Sequence, residues 1–339
     1  MCGSRWRSVA ALLAILVPAG SSSSAQPTPA RLPVIDMHVH AGRLNRTAPV
    51  PVCPGNRPLT FPALDPKVPP SPTALLGCDR PIYSATTGLA LRDGTIAELR
   101  RHNVRRAVLA GNAEVVAEWS AVAPGLFIPA ASPPTRGSEA LARLRRLHGE
   151  GRAAVFAELG AQYVGLRADD PSLEPFWALA EELDVPVGIH LGEGNPGQQG
   201  GTTDRYRVGL TSPFQLEEVL IKHPRLRIWV MHAASPLTDE MIAMLFEYPS
   251  LYIDLAANVW NMPRAQLYDQ LKRFVDAGFS KRILHGSDQT IWPQSIGLAI
   301  ETVEQAPFLT PEQKRDILYN NAARFLRLTP AEIARDHEQ

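Results

Sequence analysis

In the segment LPVIDMHVHAG, residues 32–42, an apolar run ends in two histidines one residue apart. Such a run is typical of a buried β-strand, and side chains two residues apart on a strand point to the same face. His38 and His40 are therefore expected to project together from a strand end. Two imidazoles that meet at one point form half of many metal sites, although ordinary packing also explains an isolated pair.

Seven further short aliphatic or β-branched runs follow this one, and amphipathic stretches separate them. Together the runs cover residues 32–39, 104–110, 125–131, 152–159, 185–191, 226–232, 251–256 and 281–287. Strands that alternate with helices indicate parallel βαβ units, and eight such units predict a closed (β/α)8 TIM-like barrel of the α/β class.

Two connections of the predicted barrel are unusually long. Residues 41–90 follow the first strand and are rich in proline, and residues 192–213 follow the fifth strand and are rich in glycine. Loops that follow barrel strands lie at the C-terminal face of the barrel, where active sites occur, and long loops in compact domains are usually functional.

The composition fits a single large domain and excludes some partners. The chain has 339 residues, of which 45% are hydrophobic, enough to fill a barrel core. Lys and Arg together number 34, as do Asp and Glu, so no charge excess points to nucleic acid or to an anionic membrane. A small-molecule substrate is the expected partner.

The N-terminal residues predict a secretory signal. Arg5 and Arg7 precede the apolar segment SVAALLAILVPAG, which is too short to span a bilayer, and small residues then lead to Ala25. The predicted organisation is a signal peptide at 1–25 and a barrel domain at 26–339. The mature protein is expected to be periplasmic or secreted, with no membrane attachment.

Export has a consequence for the cysteines. Cys2 leaves with the signal, so the mature chain keeps only Cys53 and Cys78. An even pair in an oxidising compartment predicts a disulfide, with two free buried thiols as the alternative.

Titratable side chains recur at the predicted strand ends. They are His38 and His40 on the first strand, Glu158 on the fourth, His190 on the fifth, His232 on the sixth and Asp288 on the eighth. Because the C-terminal ends of parallel barrel strands open on one face, these side chains are expected to meet there.

Several segments around these residues resemble the amidohydrolase superfamily. They are IDMHVH (35–40), VPVGIHLGE (185–193), LEEVLIKHPRLRIWVMHAA (216–234), KRILHGSDQ (281–289) and ILYNNAARFLRL (317–328). As a set they are similar to the amidohydrolase-related branch, which contains metal-dependent hydrolases and non-oxidative decarboxylases. The resemblance extends over about residues 32–328.

The resemblance implies a role for each strand-end residue. It makes His38, His40, His190 and Asp288 metal ligands. Glu158 stands where two-metal members place a bridging group, and a purely structural carboxylate is the alternative there.

Imidazoles with carboxylate suit Zn²⁺ best, with Mn²⁺ or Fe²⁺ as alternatives. The resemblance further implies that Asp288 moves the proton, and that His232 holds the attacking water or polarises the substrate. It also allows a homodimer.

Five residues are candidates for substrate contact. Arg205 and Arg207, in the second long loop, could clamp a substrate carboxylate. Arg167, Trp260 and Trp292 follow or end strand regions and could line the pocket. Solvation of the arginines and packing of the tryptophans are the competing interpretations.

Three functions remain open from the sequence. The preferred one is an exported metal-dependent hydrolase of a small lactone, ester or amide. The second is a metal-dependent non-oxidative decarboxylase of an aromatic or unsaturated acid, which would use nearly the same ligands. The third is a secreted binding protein on a catalytically silent barrel, which would not need the complete ligand set.

Overall fold

The computed structural model describes residues 1–3, 31–60, 63, 65, 67, 78–133, 137–194 and 205–338. The chain divides into two units, 1–31 and 32–339, and the second contains every strand and helix given below. The predicted cleavage after Ala25 lies outside the described residues and stays a prediction. Within the described ranges, no helix is both long enough and apolar enough to cross a membrane.

Eight parallel strands form the predicted barrel. In barrel order they are β1 (Val34–Ala41), β4 (Val104–Gly111), β5 (Phe127–Ala131), β6 (Val155–Leu159), β7 (Val187–His190), β8 (Ile228–Met231), β9 (Tyr252–Asp254) and β10 (Ile283–Leu284). Each corresponds to one run of the sequence, so the (β/α)8 prediction is confirmed. The strands are buried almost throughout, as expected where helices cover a parallel sheet.

Backbone hydrogen bonds between the first strand and the segment after the last one close the barrel. Val39 bridges to Gln289 in parallel register. The amide of His40 donates to the carbonyl of Gln289 at 2.9 Å, and the amide of Asp288 donates to the carbonyl of His38 at 2.8 Å. The backbone itself therefore places Asp288 beside the two histidines of β1.

Twelve α-helices occur in the described residues, most of them between strands. They are α1 (Gly88–Arg101), α2 (Ala113–Val122), α3 (Ser138–Gly149), α4 (Glu174–Glu182), α5 (Glu217–Lys222), α6 (Thr238–Glu247), α7 (Asn258–Asn261), α8 (Arg264–Asp276), α9 (Ser295–Glu304), α10 (Pro311–Arg315), α11 (Asn321–Phe325) and α12 (Pro330–His337). One turn of π-helix joins α10 to α11. Thr310 caps α10 with a capping box, which satisfies amides that the first turn leaves unpaired.

Two hydrophobic clusters hold the barrel together. The larger one links the strands to the surrounding helices through side chains such as Trp177 and Phe274. The smaller one packs Met37 and Trp229 of the strands against Tyr319 and Phe325 of the C-terminal segment. The site residues thus project from a well-packed frame.

The long loop after β1 has structure of its own. A two-stranded antiparallel ribbon pairs β2 (Pro51–Val52) with β3 (Ile82–Tyr83). A disulfide joins Cys53, next to β2, with Cys78. No periodic pattern in the sequence predicted this ribbon, because strands of two residues are too short to show one.

Candidate metal centre and its cavity

The six strand-end residues converge at the C-terminal mouth of the barrel. His38 Nε2 lies 3.1 Å from His40 Nε2, and His232 Nε2 lies 2.9 Å from His190 Nδ1. The carboxylates of Asp288 and Glu158 flank these nitrogens. Asp288 Oδ1 is 2.9 Å from His40 Nε2, Glu158 Oε1 is 2.5 Å from His190 Nδ1, and Glu158 Oε2 is 3.5 Å from His40 Nε2.

The outer hydrogen bonds of two rings fix which nitrogen faces the site. His232 Nδ1 lies 2.9 Å from the carbonyl oxygen of Ala256, which only accepts, so this nitrogen carries the hydrogen. His38 Nδ1 lies 3.3 Å from Asp254 Oδ2, a carboxylate that likewise accepts. In the neutral rings, both Nε2 atoms therefore present a lone pair to the centre of the site.

His190 is held in the same way from the other side. The hydroxyl of Tyr206 donates to the carbonyl of Gly192 at 2.5 Å, so its oxygen can accept from His190 Nε2 at 3.3 Å. The same carbonyl accepts from Gln162 Nε2 at 3.0 Å and from Thr211 Oγ1 at 2.9 Å, which fixes the start of the glycine-rich loop. His190 Nδ1 therefore offers its lone pair to the cluster.

Lone pairs that face each other at about 3 Å, with two carboxylates beside them, repel unless a cation lies between them. Groups of three donors that could hold a metal ion are His38–His40–Glu158, His38–His232–Asp288 and Glu158–His190–His232. The donor set of imidazole nitrogen and carboxylate oxygen suits Zn²⁺, Mn²⁺ or Fe²⁺. The residues present thus fit a divalent transition metal.

Without a metal ion, protons take the place of the cation. Burial alone would lower the pKa of His38, but the carboxylates of Asp288, Asp254 and Glu158 outweigh it and raise that pKa well above its ordinary value. Burial also opposes the charged form of His232, and Glu158 and Asp288 again raise its pKa.

The pKa values of His190 and Glu158 are lowered instead. Burial and the neighbouring His232 lower the pKa of His190, against the pull of Glu158. Burial would raise the pKa of Glu158, but the neighbouring imidazoles of His190, His232 and His38 hold it well below the ordinary value. Glu158 is therefore ionised at neutral pH and available as a ligand.

Asp254, at the end of β9, connects two of these histidines from behind. Its Oδ2 contacts His38 Nδ1 and accepts from Trp229 Nε1 at 3.1 Å. Its Oδ1 accepts from the backbone amides of His232 at 2.9 Å and Ala256 at 3.0 Å. One buried carboxylate thus sets the ring of His38 and the backbone of His232 together.

The backbone at His232 has an uncommon conformation. His232, Ala233 and Ala234 have φ of 63°, 50° and 52°, in the left-handed region that costs non-glycine residues on the order of 1 kcal/mol or more each. Gly192 leaves room for this turn, because a Cβ there would lie 2.9 Å from the Cβ of His232. The hydrogen bond from the backbone amide of His232 to Asp254 helps to hold the turn.

A cavity of about 670 Å³ opens directly above the cluster. Its floor includes His40, Glu158, His190, His232 and Asp288, and its other lining residues are Val52, Tyr163, Glu193, Gly194, Ala257, Asn258, Trp260, Asn261, Met262, Pro263, Gln266, Thr290 and Trp292. The volume is that of an ordinary small-molecule site.

The family model for amidohydrolases matches residues 35–328, most of the length of the chain. The chain belongs to the amidohydrolase family. The resemblance that the sequence motifs indicated is therefore confirmed. In a separate comparison, no curated protein matches the chain.

Solved structures share the fold at low identity. A probable 2-pyrone-4,6-dicarboxylic acid hydrolase from Acinetobacter baumannii is 15% identical, with 87% of this chain and 99% of that chain covered and a TM-score of 0.56. A 2,6-dihydroxybenzoate decarboxylase from Rhizobium is 20% identical, with 69% and 87% covered and a TM-score of 0.52. A dihydroxybenzoic acid decarboxylase from Polaromonas, with bound manganese, is 17% identical, with 71% and 87% covered and a TM-score of 0.51.

The candidate substrate residues of this amidohydrolase fall into two groups. Trp260 and Trp292 line the cavity. Arg167, Arg205 and Arg207 are not among its described lining residues, and all three are exposed. Arg167 instead forms two hydrogen bonds of 2.7 Å to Asp169, and Arg207 donates to the carbonyl of Tyr206.

Sequence reasoning missed Asp254, Tyr163 and Tyr206. Asp254 had a signal, since a carboxylate in the apolar run LYIDLA at a strand end is expected to be buried and paired. The hydroxyl of Tyr163 lines the cavity 3.4 Å from His190 Nδ1, and burial together with the charge of Glu158 raises its pKa, so it stays protonated. Both tyrosines lie in connections that follow strands, where the position of a residue along the chain does not predict the direction of its side chain.

Proposed function

We propose that this amidohydrolase is an exported, metal-dependent hydrolase of a small lactone, ester or amide. The observation that carries the proposal is the position of Glu158. Its carboxylate belongs to two ligand groups, His38–His40–Glu158 and Glu158–His190–His232. A carboxylate shared by two groups suits a pair of divalent ions, an arrangement frequent in enzymes that hydrolyse with activated water.

A divalent ion in this site would lower the pKa of water and polarise a carbonyl. The chain's own residues would do the rest. Asp288 lines the cavity beside His40 and would accept the proton of the attacking water and return it to the leaving group. Burial would raise the pKa of Asp288, but His38 and His40 lower it, so the carboxylate is a base at neutral pH.

His232 would contribute in two ways. The bond from its Nδ1 to Ala256 directs Nε2 into the cavity, where it would orient the water or the reacting carbonyl. It also belongs to two of the ligand groups, so we add a ligand role to the catalytic role that the sequence suggested. Tyr163 would donate a hydrogen bond from its protonated hydroxyl to the substrate.

Export is part of the proposal. The basic and apolar N-terminal pattern supports it, and so does the disulfide between Cys53 and Cys78, since such bonds persist in oxidising compartments. We propose a periplasmic or secreted location after removal of residues 1–25.

Decarboxylation of an aromatic acid is the second candidate. The aromatic side chains of Trp260 and Trp292 in the cavity favour it, because they offer apolar surface for a ring next to Asp288. In that reaction Asp288 would donate a proton to the ring carbon instead of accepting one from water.

Product analysis separates the two functions. Metal-loaded protein is incubated with a panel of lactones, esters and amides and with a panel of aromatic acids. The proposal expects ring-opened or hydrolysed acid from the first panel and no CO₂ from the second. Release of CO₂ without hydrolysis in the first panel would replace it with the decarboxylase.

A further inference from the structure

One part of the cavity lining, the apolar wall, consists of hydrophobic and aromatic side chains. It is formed by Val52, Trp260, Met262, Pro263 and Trp292, which belong to the three connections that follow β1, β9 and β10. Such a wall offers a ring both hydrophobic contact and aromatic stacking.

The two indoles present only their apolar surfaces to the cavity. Trp260 Nε1 donates to the carbonyl of Ser287 at 2.6 Å, and Trp292 Nε1 donates to the carbonyl of Val50 at 2.9 Å. With both N–H groups used, the rings are held with centroids 6.1 Å apart and planes inclined by 54°. Neither indole has a donor left for an anion.

Apart from the histidines of the ligand cluster, the ionisable residues of the lining are acidic or are tyrosine. The acidic residues are Glu158, Asp288 and the exposed Glu193, and no Lys or Arg occurs among the described lining residues. Asn261 and Gln266 add uncharged amides on the wall side. An anionic group placed there would gain no cationic partner and would lie in a cavity that also contains three carboxylates.

From this arrangement, and resting on the proposed function, we infer that the substrate is a flat ring whose body carries no ionised group apart from the reacting carbonyl function. The ring lies against Trp292 and Trp260, and hydroxyl or keto substituents meet the amides of Asn261 and Gln266. A second carboxylate on the far side of the ring is selected against.

Two substrates that differ in one distal charge test the inference. The metal-loaded protein is given 3,4-dihydrocoumarin and 3,4-dihydrocoumarin-6-carboxylate, which share the ring and the lactone. We expect kcat/KM to be higher for the neutral compound by about tenfold, as for a charge without a cationic partner near carboxylates. Equal kcat/KM for the two lactones overturns the inference and leaves the hydrolase proposal intact.

Variants of the wall sharpen the test. Gln266→Arg adds a guanidinium to the lining and should reduce the preference for the neutral lactone, whereas Gln266→Met, of similar length and no charge, should not. Trp292→Leu should raise KM for dihydrocoumarin but not for δ-valerolactone, which has no aromatic ring, and Trp292→Phe should restore the lower KM. A parallel rise in KM for both lactones would contradict ring stacking.

Binding measured without turnover keeps the two proposals distinguishable. Calorimetric titration with the same two lactones should show tighter binding of the neutral one. If neither is hydrolysed but this preference appears, the hydrolase proposal fails and the inference stands. If neither compound binds, the inference is overturned.

Discussion

The ligand cluster and the apolar wall line the same cavity but depend on different parts of the chain. The cluster projects from strand ends, where the backbone bonds of His38 and Asp288 lock β1 to the segment after β10. The wall depends on contacts between loops. The amide of Gly55 donates to the carbonyl of Trp260 at 2.6 Å, and the carbonyl of Gly55 accepts from the amide of Arg264 at 2.9 Å.

This difference suggests how the work of the site is divided. The barrel frame fixes the groups that move protons and bind cations, and these can tolerate little displacement. The loops fix the shape that the substrate meets. Changes in the cluster should therefore alter metal binding and kcat, and changes in the wall should alter KM.

The largest effect is expected at Asp288. Asp288→Asn keeps the shape but removes the basic oxygen, so kcat should fall by about 10²–10⁴-fold, the usual loss for a general base. Turnover and metal content are measured together on metal-saturated protein, with Asp93→Asn, an exposed carboxylate, as control. Turnover within threefold of wild type would remove Asp288 from the proton transfer.

Asp254 tests whether the cluster depends on its support from behind. In Asp254→Asn an amide replaces a carboxylate that now accepts from His38, from Trp229 and from two backbone amides. Metal affinity should weaken by roughly 10–100-fold, as for other residues that orient ligands. Competition titration with a chelator measures this affinity. Trp229→Phe removes only the hydrogen bond from the indole N–H to Asp254 and should change the affinity less. Unchanged affinity in Asp254→Asn would show that the barrel alone orients His38.

Metal binding should weaken as the pH falls. The pKa values of His38 and His232 are raised in the metal-free protein, so both rings keep a proton to higher pH than a free histidine. A metal ion must displace these protons, and each one displaced costs about tenfold in affinity per pH unit below the raised pKa. Titrations across neutral pH should show this slope, and pH-independent affinity would contradict it.

Loss of the disulfide next to the wall should have the smallest effect on kcat. The double variant Cys53→Ser, Cys78→Ser frees the loop next to Val52, so KM should rise severalfold while kcat and metal content stay near wild type. The free energy of unfolding should fall by at most about 3–4 kcal/mol for a closed loop of this length. A loss of kcat as large as the change in KM would show that loop and cluster are not independent.

The same division explains what could be predicted from the sequence. The eight strands and six strand-end residues were predictable, because the period of a strand and the parallel order of a barrel fix both position and direction. Asp254 lies on such a strand, yet its partner was not deducible, since a carboxylate in an apolar run can pair with any neighbour across the barrel.

Loop residues were harder to assign. Arg167 is paired with Asp169, two residues further along, a local contact that competes with any reach into the cavity. Trp260 and Trp292 meet only because three loops pack together, and no periodicity in the sequence encodes that contact.

The metal content of wild type and His190→Ala shows whether the strand-end residues hold a metal ion on which activity depends. Both proteins are stripped with a chelator, reloaded with Zn²⁺ or Mn²⁺, desalted and analysed for metal per chain, with circular dichroism to verify the fold. We expect at least one bound ion and metal-dependent turnover in the wild type. We also expect His190→Ala, still folded, to lose bound metal and activity together. Full metal content and turnover in His190→Ala, or full activity in the stripped wild type, would rule out the proposed metal site.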